Sequence, residues 1–242
     1  MKLNVVTLCS GYDSQCLALD RLKQHYPDFD YELLAWSEID PYAIKAHNAL
    51  FPDWADRNLG DMTCCDYSRI ASKVDLLFYS TPCQSVAICG KREGMKQGDD
   101  SASALIWHTR RAIQSLRPKY LILENVKGML NKLNRPDYDA WCGLLEQMGY
   151  ANFQAVLSPT DYNVPQTRQR LFLVSIRRDG GNPQFSFPKA LPLVKTIGDI
   201  LQSPVDDKYY LTDKQLARIK AHCDRKVAEG CGFKLHIIGR GG

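Results

Sequence analysis

The chain has 242 residues, 45% of them hydrophobic and 24% charged, which is room for one sizeable α/β domain or two small ones. That balance excludes collagen-like, mucin-like and bulk-disordered classes. The excess of 31 Lys and Arg over 27 Asp and Glu, a formal charge of +4, is compatible with a nucleic-acid partner without arguing for one. Nine cysteines are an odd number, with Cys64 and Cys65 adjacent and no CxxC pair, so a reducing, intracellular (cytoplasmic) setting is expected rather than a disulfide framework. No run reaches the ~18 apolar residues of a membrane span. The N-terminal apolar run is broken by Gly11 and Asp13, too early for a signal peptide.

In chain order, strand-like runs fall at Leu3–Leu8, Glu32–Ser37, Asp75–Ser80, Tyr120–Glu124, Ala151–Leu157 and Arg170–Ile176. Helix-like spacing falls between them at Ser14–His25, Pro41–Leu50, Ser101–Leu116 and Asp139–Met148, with Ser14, Asp40 and Ser101 as N-caps. A further, poorly marked strand is expected to end near Asp61. The alternation predicts an α/β fold: a doubly wound, mostly parallel sheet with helices on both faces. Gln84–Asp100 interrupts it with a long loop carrying Gly90, Gly94 and Gly98, and long loops in compact domains are commonly functional. After Ile176 the texture turns rich in Gly, Pro and Lys, which puts a boundary near residue 180, between a domain over 1–180 and a segment over 181–242. That segment carries helical patterns at Ile197–Leu201 and Asp213–Val227, the second with a Thr212/Gln215 capping box, and ends in a strand-like run.

The residues with chemical potential sit at strand ends, where open parallel sheets bind ligands. LCSGYDSQCLAL (Leu8–Leu19) reads as strand, Gly-containing turn and helix, an arrangement that presents backbone N–H groups to a polar or anionic ligand. Glu38 stands about where an acidic residue binds ribose hydroxyls in a dinucleotide-binding unit. Pro82, Cys83 and Gln84 follow the next run directly. Cys83 is a nucleophile candidate, since a thiolate at a cleft edge can be activated by nearby positive charge, or else a structural core cysteine. LILENV brings Glu124 and Asn125 to the same edge, the carboxyl as a general acid near neutral pH or as a structural cap or salt bridge. YNVPQTRQR sets Arg168 and Arg170 on alternate positions, pointing the same way, toward a carboxylate or base carbonyl or toward solvent. His222, Cys223, Cys231 and His236 match no zinc spacing, so no metal is expected. Trp36, Trp54, Trp107 and Trp141 read as core or rim packing.

Gly11, Glu38, Asp61 in GDMT, Pro82-Cys83-Gln84, Glu124-Asn125-Val126 and Gln166-x-Arg168-x-Arg170 follow one another in an order and approximate spacing that resembles the cytosine-5 DNA methyltransferases, over roughly residues 3–178. The resemblance implies a Rossmann-like, S-adenosylmethionine-dependent enzyme that methylates carbon 5 of a cytosine flipped out of double-stranded DNA, with S-adenosylhomocysteine as product. It implies that Cys83 attacks C6 as thiolate and that Glu124 holds and protonates N3. Arg170 then contacts Glu124 and the base O2, with Arg168 close by, and Asn125 orders the Pro82–Cys83 segment. For the cofactor it implies Cys9, Ser10, Gly11, Tyr12, Glu38 (ribose), Ile39, Asp61 (adenine amino group), Met62 and Pro82. For substrate and DNA it implies Gln84, Ser85, Lys91, Arg92, Asn125 and Gln166, with Lys96 also placed to meet phosphate.

The match departs from the family in three places, one of them Ile39, which sits where an aromatic residue often stacks on adenine. Cys9, Asp13 and Ser14 stand where the first motif carries an aromatic residue and glycines, which restricts the turn. The family's target-recognition region and two last motifs are missing, so the chain is expected to be an engineered fragment, a truncated product, or one half of an enzyme whose remainder is a second polypeptide. Alone it is expected to bind DNA weakly and to read no sequence. The motifs leave a transfer RNA substrate open, as well as a catalytically silent regulator and a nucleotide methylase.

Overall fold

The computed structural model describes residues 1–83, 96, 98 and 102–230. Six strands, β1 (Lys2–Leu8), β2 (Asp30–Ser37), β3 (Leu76–Tyr79), β4 (Tyr120–Val126), β5 (Tyr150–Leu157) and β6 (Arg170–Arg177), form one sheet in the order β2-β1-β3-β4-β6-β5. β2, β1, β3 and β4 pair in parallel, whereas β6 is antiparallel to both β4 and β5. The expected doubly wound sheet is therefore present, with one reversed strand inserted near its edge. Helices α1 (Ser14–His25), α2 (Pro41–Leu50), α3 (Thr109–Leu116) and α4 (Arg135–Gln147) connect or flank the strands.

The period of two along each strand divides the core. Leu121 and Leu123 join one cluster with Ile106, Ile113, Trp141 and Leu145. Tyr120 and Ile122 turn to the other face, where Cys16, Leu19, Leu33 and Trp36 pack. Continuing the alternation sends Glu124 with Ile122 and sends Asn125 with Leu121 and Leu123. Trp36 and Trp141 are fully buried, and the Trp141 indole donates to Tyr79 Oη at 3.1 Å.

Several local expectations are corrected. The N-cap of α1 is Asp13, in a left-handed conformation with φ 64, so Ser14 is the first helical residue and not the cap. Asp40 does cap α2, accepting from the amides of Tyr42 and Ala43 at 2.8 and 2.9 Å. The stretch read as one helix to Leu116 is a 3₁₀ segment, Ala102–His108, followed by α3, and the expected Ser101 cap lies outside the described residues. α4 starts at Arg135 rather than Asp139 because Pro136 sits in the first turn, where its missing N–H costs nothing. The strand expected to end near Asp61 is reduced to a single parallel bridge between Trp36 and Asn58.

The chain divides into two compact units, Met1–Lys195 and a second from Thr196 onward. In the second, α5 (Asp213–Ala228) is opened by a capping box in which the Thr212 amide and hydroxyl both donate to Gln215 Oε1 at 2.9 Å. Cys223 is buried and His222 faces Arg225. No group of His, Cys, Asp and Glu that could hold a metal occurs among the described residues, and no described helix is long and apolar enough to cross a membrane.

Candidate active site

At the carboxyl ends of β1, β3 and β4 opens a cleft of about 700 Å³. One wall is the β1–α1 turn, with Cys9, Ser10, Gly11 and Tyr12. The other is built by Ser80, Glu124, Gln166, Arg168 and Arg170. The sheet register explains the second wall. Glu124 pairs with Phe172 and Val126 with Arg170, which makes Glu124 and Arg170 diagonal neighbours on one face of an antiparallel pair. Their side chains form an ion pair, Arg170 Nε to Glu124 Oε1 at 2.9 Å, one fifth and one third exposed. Arg168 lies two residues earlier and lines the same cleft, as its alternate position requires.

Ser80, which sequence reasoning did not single out, donates to Glu124 Oε2 at 2.5 Å. The carboxylate is thus held from both sides, by an arginine from β6 and a hydroxyl from the end of β3. The available signal was its place, directly before Thr81-Pro82-Cys83. Asn125, on the opposite face, donates from Nδ2 to the Thr81 carbonyl at 2.9 Å and accepts from the Val126 amide at 2.8 Å, with Asn125 and Thr81 both buried. It therefore fixes the segment that leads to Cys83. Cys83 is half-buried and packs against the core; it does not line the cleft itself.

Around the first turn, the Gly11 amide (φ 59) donates to Glu38 Oε2 at 2.8 Å, and the Ile39 and Asp40 amides take the other carboxylate oxygen. Asn58, also missed from sequence, accepts from the Glu38 and Gly60 amides. Ile39 is exposed. Asp61 accepts from the Thr63 amide at 2.8 Å, and this hydrogen bond draws its carboxyl below the usual range. Cys9 touches Met62, sulfur to sulfur 3.3 Å. Burial above all, with Glu38 and Asp61 nearby, pushes the Cys9 thiol up to about 12. Glu38, Asp61 and Met62 are thus linked to the cleft through Gly11 and Cys9 rather than lining it. Gln84, Ser85, Lys91 and Arg92 lie outside the described residues, and Lys96 is exposed.

A six-stranded sheet with one reversed strand, and a cleft at its parallel carboxyl edge lined by apolar side chains with a few convergent polar groups, define the Rossmann-like methyltransferase class of fold. Two solved structures share it: the Schizosaccharomyces pombe (S. pombe) Dnmt2 methyltransferase, with a TM-score of 0.65 and 18% identity over 92% of this chain and 67% of that one, and the Entamoeba histolytica methyltransferase EhMeth, with a TM-score of 0.69 and 17% identity over 88% and 64%. The model of the C-5 cytosine-specific DNA methylase family matches residues 3–240, and the chain belongs to that family. Relatives include the type II methyltransferase M2.ScrFI of Lactococcus lactis subsp. cremoris, 32% identical over 67% of this chain and 44% of its own length. Another is the type II methyltransferase M.HpaII of Haemophilus parainfluenzae, 32% identical over 84% and 56%. The chain spans about half the length of these curated relatives.

Proposed function

We propose that this chain carries out methylation of carbon 5 of cytosine in double-stranded DNA, with S-adenosylmethionine as methyl donor. The observation that carries the reading is the Ser80–Glu124–Arg170 cluster in the cleft, on a strand hydrogen-bonded to the one that delivers Cys83, with Tyr79 opposite Leu123. The first turn fits an adenosyl cofactor. A Cβ on Gly11 would meet nothing within 4 Å, so the backbone there is open to close approach, and Glu38 stands against it as a carboxylate acceptor for hydroxyls. Ser10, Gly11, Tyr12 and Glu38 are the residues we assign to holding the cofactor, with Cys9, Ile39, Asp61, Met62 and Pro82 around them.

The residues of the chain then divide the work. Cys83 adds through sulfur to C6 of the flipped cytosine, and the C5–C6 electron pair moves to carbon 5. Glu124, positioned by Arg170 and Ser80, holds the proton at N3 that this redistribution requires. S-adenosylmethionine, when bound, supplies the methyl group that carbon 5 takes up. Loss of the C5 proton to water re-forms the C5–C6 double bond and expels Cys83 as thiolate, while the N3 proton returns to Glu124. Asn125 keeps the Thr81–Cys83 segment in line. Arg168 and Gln166 line the base side of the cleft, and Gln84, Ser85, Lys91 and Arg92 are assigned to the DNA.

The test is transfer of labelled methyl groups from S-adenosylmethionine to unmethylated duplex DNA. Label on cytosine that disappears with Cys83→Ser is the expected result. Label that persists in Cys83→Ser, or that goes to transfer RNA and not to duplex DNA, would overturn the reading.

A further inference from the structure

Directly behind the Ser10–Tyr12 turn lies a polar cluster that the reaction above does not use. Asp13 and His47 are both fully buried, with His47 Nε2 3.5 Å from Asp13 Oδ2. Thr7 Oγ1 donates to that same oxygen at 2.9 Å. The His47 ring stacks on Trp36, centroids 3.7 Å apart and planes 21° from parallel. Asp13 Oδ1 is buried with no nitrogen or oxygen donor, and the buried Cys16 thiol stands against the carboxyl as a weak one. A buried carboxylate so incompletely satisfied is unfavourable unless its geometry serves something else.

The backbone poses the same question. Asp13 adopts φ 64 and ψ 54, a left-handed conformation that glycine takes without steric cost and that aspartate and asparagine adopt as single residues at some cost. The side chain must therefore return something that the backbone loses.

The contacts around the turn indicate what that is. Ser10 N–H donates to the Ser37 carbonyl at 3.1 Å, and Gly11 N–H to Glu38 Oε2 at 2.8 Å. These two bonds dock the turn on the end of β2 from one side. Asp13 Oδ2 stands 3.5 Å from His47 Nε2 on α2, a polar contact that falls short of a hydrogen bond, and through the His47 ring reaches Trp36 on β2, which holds the turn from the other. Both ties converge on the stretch Trp36–Glu38.

We propose that Asp13 and His47 form a buried positioning pair that locks the Ser10–Tyr12 turn against Glu38, so that the adenosyl cofactor meets a preformed site. The assignment rests on the cofactor reading above. It has two readouts in the 242-residue chain, S-adenosylhomocysteine binding by calorimetry and hydrogen exchange at the Gly11 amide, with melting curves to confirm folding.

Asp13→Gly relieves the backbone yet removes the anchor. It should weaken binding about tenfold and speed Gly11 exchange by about the same factor. Asp13→Asn, which tolerates the left-handed conformation and still accepts from Thr7, should recover most of both. His47→Phe keeps the ring on Trp36 without the nitrogen and should resemble Asp13→Gly, and the double variant should be no worse than either single one.

Asp13→Gly with unchanged or tighter binding and unchanged Gly11 exchange would overturn the proposal, because that is what a residue merely standing in for glycine predicts. If the wild-type chain binds no S-adenosylhomocysteine, the cofactor reading fails by itself, and the Gly11 exchange comparison still decides the positioning role.

Discussion

Asn125 gives a prediction whose size follows from its two hydrogen bonds. Its Nδ2 donates to the Thr81 carbonyl at 2.9 Å, and Asn125 and Thr81 are each 4% exposed, so Asn125→Ala strands a buried acceptor that water does not reach. Leaving such a group unmet costs about 1–3 kcal/mol. The Val126 amide, bonded at 2.8 Å to Asn125 Oδ1, belongs to a half-buried residue and can find water, so about 2 kcal/mol is the expected loss of stability. In a protein of this size that is a fall in Tm of roughly 4–8 °C. Asn125→Asp keeps the acceptor for Val126 but turns a carboxylate oxygen toward the Thr81 carbonyl, which is worse at neutral pH.

The pH dependence separates the two variants. Burial and the facing carbonyl raise the folded-state pKa of the introduced aspartate above its unfolded value of about 3.9. Its penalty is therefore absent below the unfolded value, grows as pH rises toward the folded value, and is constant above it. Urea denaturation at about pH 5 and pH 8 should show the Asn125→Asp deficit shrinking on acidification while that of Asn125→Ala stays level. The reasoning is refuted if Asn125→Ala lies within about 0.5 kcal/mol of the wild type, or if the Asn125→Asp deficit is the same at both pH values.

Three further outcomes follow from the site. Ser80→Ala removes one of the two groups holding the Glu124 carboxylate, which is one third exposed, so solvent partly replaces it. Methyl transfer should fall about 3–10-fold with Ser80→Thr near wild type, and an unchanged rate in Ser80→Ala removes Ser80 from the site. The Cys9 thiol, pushed up to about 12 by burial and by Glu38 and Asp61, should resist iodoacetamide near pH 8 while exposed Cys64 is alkylated; mass spectrometry showing Cys9 modified as fast as Cys64 contradicts this. Asp61 is held below the usual carboxylate range by the Thr63 amide, so its contribution to stability is present above the unfolded pKa and is lost as pH falls through the folded one. Asp61→Asn should flatten that acid limb of the stability curve, and an identical limb in both proteins refutes the assignment.

Much of the fold was legible along the chain because the signals are local. α1 and α2 match the expected Ser14–His25 and Pro41–Leu50 end to end, since apolar spacing and the Asp40 cap act within a few residues. The six strands fall within a few residues of expectation for the same reason. The start of α4 was misplaced because a proline that breaks a helix interior is harmless in its first turn. The third strand was expected from a short run before Asp61, but a ladder needs partners as well as propensity, and only Trp36 and Asn58 bridge there.

Residue identity and short-range periodicity were enough to set the element types, the order of the family's motifs and most of the residues with chemical potential, Ser80 and Asn58 excepted. Which of them meet was settled by the packing of the sheet and its helices. Glu124 reaches Arg170 because β6 enters the sheet reversed beside β4 in one particular register. No local pattern specifies strand order, since it is set by the burial of both sheet faces together. Ser80 became part of the site through that same neighbourhood of strand ends. Asp13 read as a lost glycine until α2 placed His47 against it. A carboxylate in a turn and an imidazole on a later helix show no relation in sequence, and packing alone brings them within reach of one another.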